Sequence, residues 1–521
     1  MIQSMALLRS LLSWIALILL LGLTLATSTW NWKQLFLGGH VYFVDADCYS
    51  RMTRVQQVLE HPFTPIRFHS FENAPLGVTP HTTAPLDWTI AALTVALKPW
   101  STNPLEMAGA LVSPLLALIL VAFLWWWSQR LRLAYRFALL LTVILSPILV
   151  HGFQLGRPDH QSLILLLVGL AWAAEIALWL GRDRRWHYLS ATAWGLALWT
   201  SLYEPAILLA LTVLLRLFVL GRASSPGRYP LVIFLALLLG WFLFDGWRGT
   251  GLAENMRPYF WRWTQNIGEL RHTPASEFLR WCGLLWPIAP FLLLWQAWRT
   301  KSRPYLGWAI LLIVVSGLCF WHMRWGYFVA LAFAFSLPWA LAAFHWRAAA
   351  WIAFVVALWP IAQEWDENLF PSEDAERALV ENRFERILLR DTVPIMKSPG
   401  NILAPWWQTP SLVFWTGQSG VGGSSHQSLP GIVDTARFYL STTPATAEQI
   451  LKDRQVRWVI AYEPSRIIQN SEQILGVQAA PGTLAERLYN QPSQVPPFLK
   501  MAHQNQFFKV YQTNIGGLPP Y

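Results

Sequence analysis

Long apolar runs separated by short polar stretches dominate the chain up to Ile361. They lie at Leu11–Ala26, Met107–Trp127, Phe137–Val150, Leu163–Leu180, Tyr188–Leu202, Pro205–Leu220, Leu231–Phe244, Cys282–Trp298, Leu306–Phe320, Tyr327–Phe344 and Ala348–Ile361. Each is long enough, or nearly so, to cross a hydrocarbon core of ~30 Å as a helix. The pattern therefore predicts a polytopic α-helical membrane protein with about eleven transmembrane helices. Beyond Glu364 the continuous runs stop, and Gly, Pro, Ser and Gln rise. Strand-like Trp458–Tyr462 and helix-like Ala445–Asp453 predict a small mixed α/β domain there.

Basic residues gather in the short connections: Arg130/Arg132/Arg136, Arg182/Arg184/Arg185, Arg222/Arg228, Arg299/Lys301/Arg303 and His345/Arg347. If these face the cytoplasm, the N-terminus is inside and the C-terminal tail outside. This holds only if the apolar stretch Trp88–Leu97 does not cross. It is short, follows Pro85 and ends at Lys98-Pro99, so it is read as lying on the outer surface. The first helix is read as a span, although Thr24, Ala26 and Ser28 at its end are also compatible with signal-peptide cleavage. The outer segments are then about 29–106, about 247–280 and the tail. The chain divides into a transmembrane domain, 1–363, with functional outer loops at 29–106, 153–162 and 247–280, and an extracytoplasmic domain, 364–521.

Composition sharpens this picture. Of 521 residues, 54% are hydrophobic and only 13% charged, which argues against a water-soluble enzyme. The 33 Trp suit a protein with membrane interfaces. Net charge is +10, but the basic residues sit in topology-setting loops, so nucleic acid is not an expected partner. Three cysteines, Cys48, Cys282 and Cys319, make neither a disulfide framework nor a metal-ligand spacing.

Candidate chemistry lies in the outer loops. Asp45 and Asp47, followed by Arg51 and Arg54, place two carboxylates where they can ligate a hard divalent cation or simply cap the next helix. In Gly156-Arg157-Pro158-Asp159-His160-Gln161, carboxylate and imidazole adjoin, either as a metal half-site or as the N-cap of the fourth span. Asn266-Ile267-Gly268-Glu269 offers another carboxylate, with Arg271, His272 and Glu277 beyond it. Arg324 opens the tenth span from outside, where it can hold a lipid-linked phosphate or snorkel to the interface. Glu204 lies at the turn between the fifth and sixth spans.

Taken in chain order, these elements resemble the catalytic subunit of oligosaccharyltransferases, which has the GT-C glycosyltransferase fold. Asp45–Arg54 is similar to the family's acidic first loop, with Asp45 and Asp47 both eligible. Gly156–Gln161 resembles its Gly-x-x-Asp-His-His pattern, with Gln161 in place of the second His. Asn266–Glu269 resembles its Thr-Ile-x-Glu element, and Arg324 its pyrophosphate-holding arginine. Pro405-Trp406-Trp407-Gln408-Thr409-Pro410 stands where the family has Trp-Trp-Asp-Tyr-Gly, and weaker similarity continues through His426 and Asp434–Phe438. Up to thirteen spans are usual in the family.

The resemblance implies an inverting glycosyltransferase that moves a sugar or oligosaccharide from a polyprenyl phosphate or diphosphate donor to an acceptor on the outer face. A divalent cation, Mg2+ or Mn2+, would be held by Asp45 or Asp47, Asp159 and His160. Glu269 and a first-loop Asp would orient or deprotonate the acceptor, Arg324 would bind the donor phosphate, and Trp406, Trp407 and Gln408 would contact the acceptor. That acceptor is a protein, a lipid or a glycan, since the Asp, Tyr and Gly of the family signature are absent. The expected location is a bacterial inner membrane, with the tail in the periplasm. Within enzymes, the alternative is a GT-C transferase acting on a lipid or surface glycan. In a different class, the alternative is a transporter of lipid-linked glycans, which would place its ionisable residues inside the helix bundle and show a repeat.

Overall fold

The computed structural model describes residues 2–62, 64–221, 227–246 and 252–515. Arg222, the start of the expected 247–280 segment and the last six residues of the tail lie outside the described residues. The chain forms two compact units. Unit 1 comprises Met1–Lys33, Ala108–Phe244 and Glu269–Glu373; unit 2 comprises Gln34–Met107, Asp245–Gly268 and Asp374–Tyr521.

In unit 1 the apolar runs are helical. Eight are single helices, among them Pro104–Arg130, which begins in unit 2, and His160–Trp179, Arg303–Trp321 and Gly326–Leu341. Three are broken. Phe137–Val150 is split into Arg136–Leu145 and Pro147–Gly152, because the ring of Pro147 drives Ser146 out of helical geometry, to φ −61° and ψ 116°. Cys282–Trp298 breaks at Gly283, whose φ of +77° ends the helix Ala275–Cys282. A Cβ there would also sit 2.2 Å from the Ala357 carbonyl oxygen. Ala348–Ile361 becomes Arg347–Ala357 and Trp359–Leu369, joined at Leu358. Among the described residues, five helical segments are long and apolar enough to cross a membrane: Leu11–Leu35, Pro104–Arg130, His160–Trp179, Arg303–Trp321 and Arg347–Leu369.

Two helices apolar on every side form the centre of this unit. Gly326–Leu341 is buried along its whole length, and His160–Trp179 along nearly all of it. Several tryptophans serve this interior rather than an interface. Trp308 packs edge-on against Trp172, Trp339 and Phe335 and donates its indole N–H to the Ala332 carbonyl at 3.2 Å. Trp127 likewise donates to the Ala173 carbonyl at 2.9 Å. A buried ion pair, Glu175 with Arg216 at 3.2 Å, ties His160–Trp179 to Tyr203–Leu220.

Unit 2 is mixed. Strands β1 (Phe36–Leu37) and β2 (His40–Val41) form a short hairpin through Gly38 and Gly39, both at positive φ. A four-stranded sheet has the order β3-β4-β6-β5, from β3 (Asn401–Leu403), β4 (Val456–Ala461), β5 (Leu499–Gln504) and β6 (Lys509–Thr513). β3 runs parallel to β4, whereas β6 is antiparallel to both β4 and β5. The strand read at Trp458–Tyr462 falls on β4, and the helix read at Ala445–Asp453 is Pro444–Asp453. Ile402, Val459, Ile460, Val510 and Tyr511 supply the buried core of the sheet. Trp88–Leu97 belongs to the helix Ala84–Leu97; its 14 residues rise ~21 Å, short of a ~30 Å hydrocarbon core.

Candidate active site

The site in unit 1 begins with a pinned loop. Leu155 N–H donates to the Ser28 carbonyl at 2.8 Å, and Gly156 N–H to the Ala110 carbonyl at 2.9 Å. Ser113 Oγ donates to the Arg157 carbonyl at 2.5 Å. These bonds hold Asp159 at the start of His160–Trp179, where its Oδ1 accepts the His160 N–H at 2.7 Å. The same oxygen lies 2.5 Å from His160 Nδ1. Asp159 is thus a helix cap and a carboxylate that orients an imidazole.

Arg157 gathers the neighbouring acids. Its Nη2 is 3.1 Å from Glu269 Oε1 and 3.6 Å from Asp159 Oδ2, while Nη1 is 2.6 Å from His151 Nε2. A guanidinium can only donate, so His151 accepts through Nε2, is neutral and carries its proton on Nδ1. That nitrogen meets the Tyr327 hydroxyl at 2.9 Å.

The other half is Arg324, whose Nε is ion-paired with the buried carboxylate of Glu204. Its Nη2 approaches His160 Nε2 at 3.4 Å, which makes that nitrogen the acceptor and leaves the His160 proton on Nδ1, towards Asp159. Burial by itself raises the Glu204 carboxyl, but the charge of Arg324 more than offsets this and holds it below the usual carboxylate range. Burial lowers Arg324, yet Glu204 and Glu269 reverse the sign and hold it firmly charged. Two bonds to backbone carbonyls fix the register of these residues: Met323 N–H donates to Arg271 O at 2.9 Å, and the ring Nδ1 of His322 to Leu270 O at 2.8 Å. Gly326 is required below them, since a Cβ would lie 2.6 Å from the Trp281 ring.

Unit 1 therefore brings Asp159, His160, Glu269 and Arg324 into one polar network that also includes Glu204. The sequence reading did not single out Arg157, His151 or Tyr327. Arg157 carried a signal, being a cation within a loop at a helix mouth. His151 and Tyr327 are legible only through the fold.

In unit 2, Asp45 caps the helix Ala46–Glu60, its Oδ1 accepting Cys48 N–H at 2.9 Å, and Asp47 is exposed in the first turn. Arg51 and Arg54 turn inward. Each reaches the fully buried Asp87 at 2.7 Å, and Arg54 Nη1 also lies 2.7 Å from His69 Nε2. His69 Nδ1 meets Glu72 Oε1 at 2.6 Å, and Ser425 Oγ donates to Glu72 Oε2 at 3.0 Å. Burial depresses the His69 pKa despite the opposing pull of Glu72. This clamp fixes the helix that carries Asp45 and Asp47.

Trp406 stands edge-on to Trp263 and Trp407 and donates its indole N–H to Asn470 Oδ1 at 3.1 Å. Trp407 packs against the sheet core. Gln408 is buried, its amide donating to Glu385 Oε1 at 3.3 Å. Asp434 is held by Arg454 at 2.7 Å, and His426 stacks on His81.

Whether unit 1 alone suits a divalent cation is answered by its donor set. Asp159 and His160 provide a carboxylate and an imidazole oriented as in metal sites. However, Glu204 and Glu269 are matched by Arg324 and Arg157. Among the described residues, no three His, Cys, Asp or Glu side chains converge on one point. These residues do not by themselves make a cation site.

No protein-family model matches the chain, and no curated protein matches it. Solved structures do. Archaeal oligosaccharyltransferase AglB from Archaeoglobus fulgidus, in complex with an inhibitory peptide and a dolichol-phosphate, superposes with a TM-score of 0.63 at 13% identity, covering 98% of this chain and 75% of that one. A second structure of the A. fulgidus enzyme, in complex with Zn and sulfate, gives a TM-score of 0.61 at 13% identity, with coverages of 96% and 73%. ArnT from Cupriavidus metallidurans, bound to undecaprenyl phosphate, gives a TM-score of 0.54 at 14% identity, with coverages of 98% and 99%. The chain has the GT-C fold. The GT-C likeness takes in nearly the whole chain, and it agrees with the resemblance carried by Asp45–Arg54, Gly156–Gln161, Asn266–Glu269 and Arg324.

Proposed function

We propose that this GT-C protein is a membrane glycosyltransferase that moves a sugar or oligosaccharide from a polyprenyl phosphate-linked donor to an acceptor on the outer face of a bacterial inner membrane. The observation that carries the reading is the network in which Arg157 and Arg324 stand among Asp159, His160, Glu204 and Glu269. Likeness to structures that hold dolichol-phosphate and undecaprenyl phosphate supports the choice of donor.

Arg324 binds the donor phosphate and, already compensated by Glu204, takes up the charge that develops as the bond from sugar C1 to phosphate oxygen breaks. The electron pair leaves with the phosphate. The acceptor attacks C1 from the opposite face, inverting the anomeric centre, and its proton passes to Glu269. Arg157 anchors one oxygen of Glu269 and leaves the other for that proton. Asp159 holds His160 in the tautomer that presents Nε2 to Arg324.

On the strength of the sequence pattern, Asp45 and Asp47 enter as carboxylates acting on the acceptor, and Asp159 and His160 as candidate ligands of Mg2+ or Mn2+. Bound metal would supply positive charge for the departing phosphate. Trp406 and Trp407 enter as acceptor contacts, with Gln408 supporting them from the interior. The acceptor is a peptide, lipid or glycan; a neighbour solved with an inhibitory peptide supports including peptides among the acceptors tried.

The test measures release of polyprenyl phosphate by purified protein in nanodiscs from a panel of lipid-linked sugars, with peptide, lipid or glycan acceptors present, with and without a chelator. Wild type is expected to release it and to give inverted product. Asp159→Asn and Glu269→Gln are expected to lose at least a hundredfold in rate, with Asp45→Asn and Asp47→Asn ranking the first-loop carboxylates. Equal behaviour of wild type and all four variants contradicts the proposal and favours transport of lipid-linked glycans.

A further inference from the structure

Unit 2 contains a cavity of about 860 Å3, and no residue assigned above to sugar transfer lines it. It lies among the β1–β2 hairpin, the first turn of Pro104–Arg130, the end of the helix Glu373–Arg390 and the last turn of Thr409–Thr416. Its size falls in the range of small-ligand sites.

The lining chemistry is specific. Arg390 lies over the rings of Tyr42 and Trp415, 5.6 and 5.3 Å from their centres. Its Nη2 pairs with Glu106 at 3.4 Å, and the other Glu106 oxygen accepts Val41 N–H at 3.3 Å. The Arg390 Nη1 and Trp415 Nε1 groups are buried and have no hydrogen-bond partner among the described residues. Two donors thus lack acceptors, although burying such groups unpaired is costly. Asp391 and Gln56 add an exposed carboxylate and an amide to the wall.

This combination selects among ligands. Two carboxylates, Glu106 and Asp391, against Arg390 in the wall and Arg386 over Tyr42 leave no net positive charge to hold a phosphate or another anion. The guanidinium at the centre disfavours a metal ion. A neutral ligand rich in both hydroxyl donors and oxygen acceptors suits the carboxylates and the guanidinium together, and its apolar C–H face suits the Trp415 and Phe414 side chains. That is the chemistry of a sugar chain.

We propose that this cavity is a binding site for a neutral oligosaccharide of hexose or N-acetylhexosamine units, held by Arg390, Asp391, Glu106 and Trp415. The choice of sugar-type ligands rests in part on the transferase reading, but the site is tested by binding alone.

Full-length protein in nanodiscs is titrated with an array of free, unlinked neutral di- to tetrasaccharides of these two classes, and contact is read by saturation-transfer NMR. Wild type is expected to bind at least one of them. Asp391→Asn, Arg390→Gln and Trp415→Ala, the last deleting the aromatic wall, are expected to weaken that binding at least tenfold. Asp391 is exposed, so its variant keeps the test valid if Arg390→Gln fails to fold. Binding by no oligosaccharide, or binding unchanged in all variants, overturns the proposal. Saturation transfer to a random peptide pool but to none of the sugars overturns it in favour of a peptide subsite. A wild type that releases polyprenyl phosphate yet binds no free sugar defeats the cavity alone. One that binds sugars without releasing polyprenyl phosphate defeats the transferase reading alone.

Discussion

At the scale of single residues, the arginines decide what the acids can do. Arg157 is buried and reaches both Glu269 and Asp159. Arg157→Gln is expected to lower kcat at least tenfold while leaving donor KM nearly unchanged, because Glu269 is misplaced rather than lost. Steady-state kinetics with varied donor check this. Glu204 is fully buried, whereas Arg324 retains some exposure. Glu204→Gln leaves a largely buried cation with a neutral partner and is expected to cost about 3 kcal/mol, the lower end for a broken buried pair. The readout is the thermal midpoint in detergent, which should fall.

Much of this site was legible in the sequence. Asp159, His160 and Arg324 stood out as polar residues at the ends of apolar runs, where burial is expensive unless a function or a partner requires it, and Glu269 as a carboxylate in an outer-loop motif. What could not be read was pairing. Nothing in local sequence joins Glu204 to Arg324, or Arg157 to Glu269, because those bonds are made by the packing of separate helices. The same holds for Arg51 and Arg54. They looked like the basic face of a helix start and proved to be the two sides of a clamp on Asp87.

At the scale of elements, that clamp is the most exacting feature of unit 2. Asp87→Ala leaves two guanidiniums buried without their carboxylate. The helix Ala46–Glu60 is expected to loosen, at a cost of about 3–5 kcal/mol. Hydrogen exchange over residues 46–60 should accelerate, together with exchange over Ala84–Leu97. Apolar length predicted where helices lie in unit 1 but not where they break. Pro147 and Gly283 were visible as residues, yet whether a proline kinks a helix or ends it depends on the neighbours that take up the freed backbone groups. The tryptophans divide between two roles: Trp100, Trp298, Trp346 and others are exposed, whereas Trp127, Trp172, Trp194, Trp308 and Trp325 are among the largest fully buried side chains. Trp127 and Trp308 hydrogen-bond to backbone carbonyls, which explains how an indole N–H is accommodated in an apolar interior.

At the scale of the whole molecule, acid is expected to destabilise unit 2. His69 and His426 of unit 2 are both held below the ordinary value of 6.5 by burial, with Glu72 pulling the other way. Once pH drops below that value, the unfolded chain binds protons that the folded unit refuses, so the unfolded state is favoured and stability falls. Unit 2 is therefore expected to lose stability between about pH 6.5 and 5.5, before carboxylates titrate. Hydrogen exchange in β4 and β6 at several pH values checks this. An unchanged rate would show that neither histidine is held neutral. The central claim, that the polar network of unit 1 is built around a lipid-linked phosphate, is tested most directly by native mass spectrometry of the purified protein with undecaprenyl phosphate. Wild type is predicted to retain the lipid, and Arg324→Gln to weaken retention at least tenfold. Equal retention by the two proteins, or none by wild type, would contradict the account.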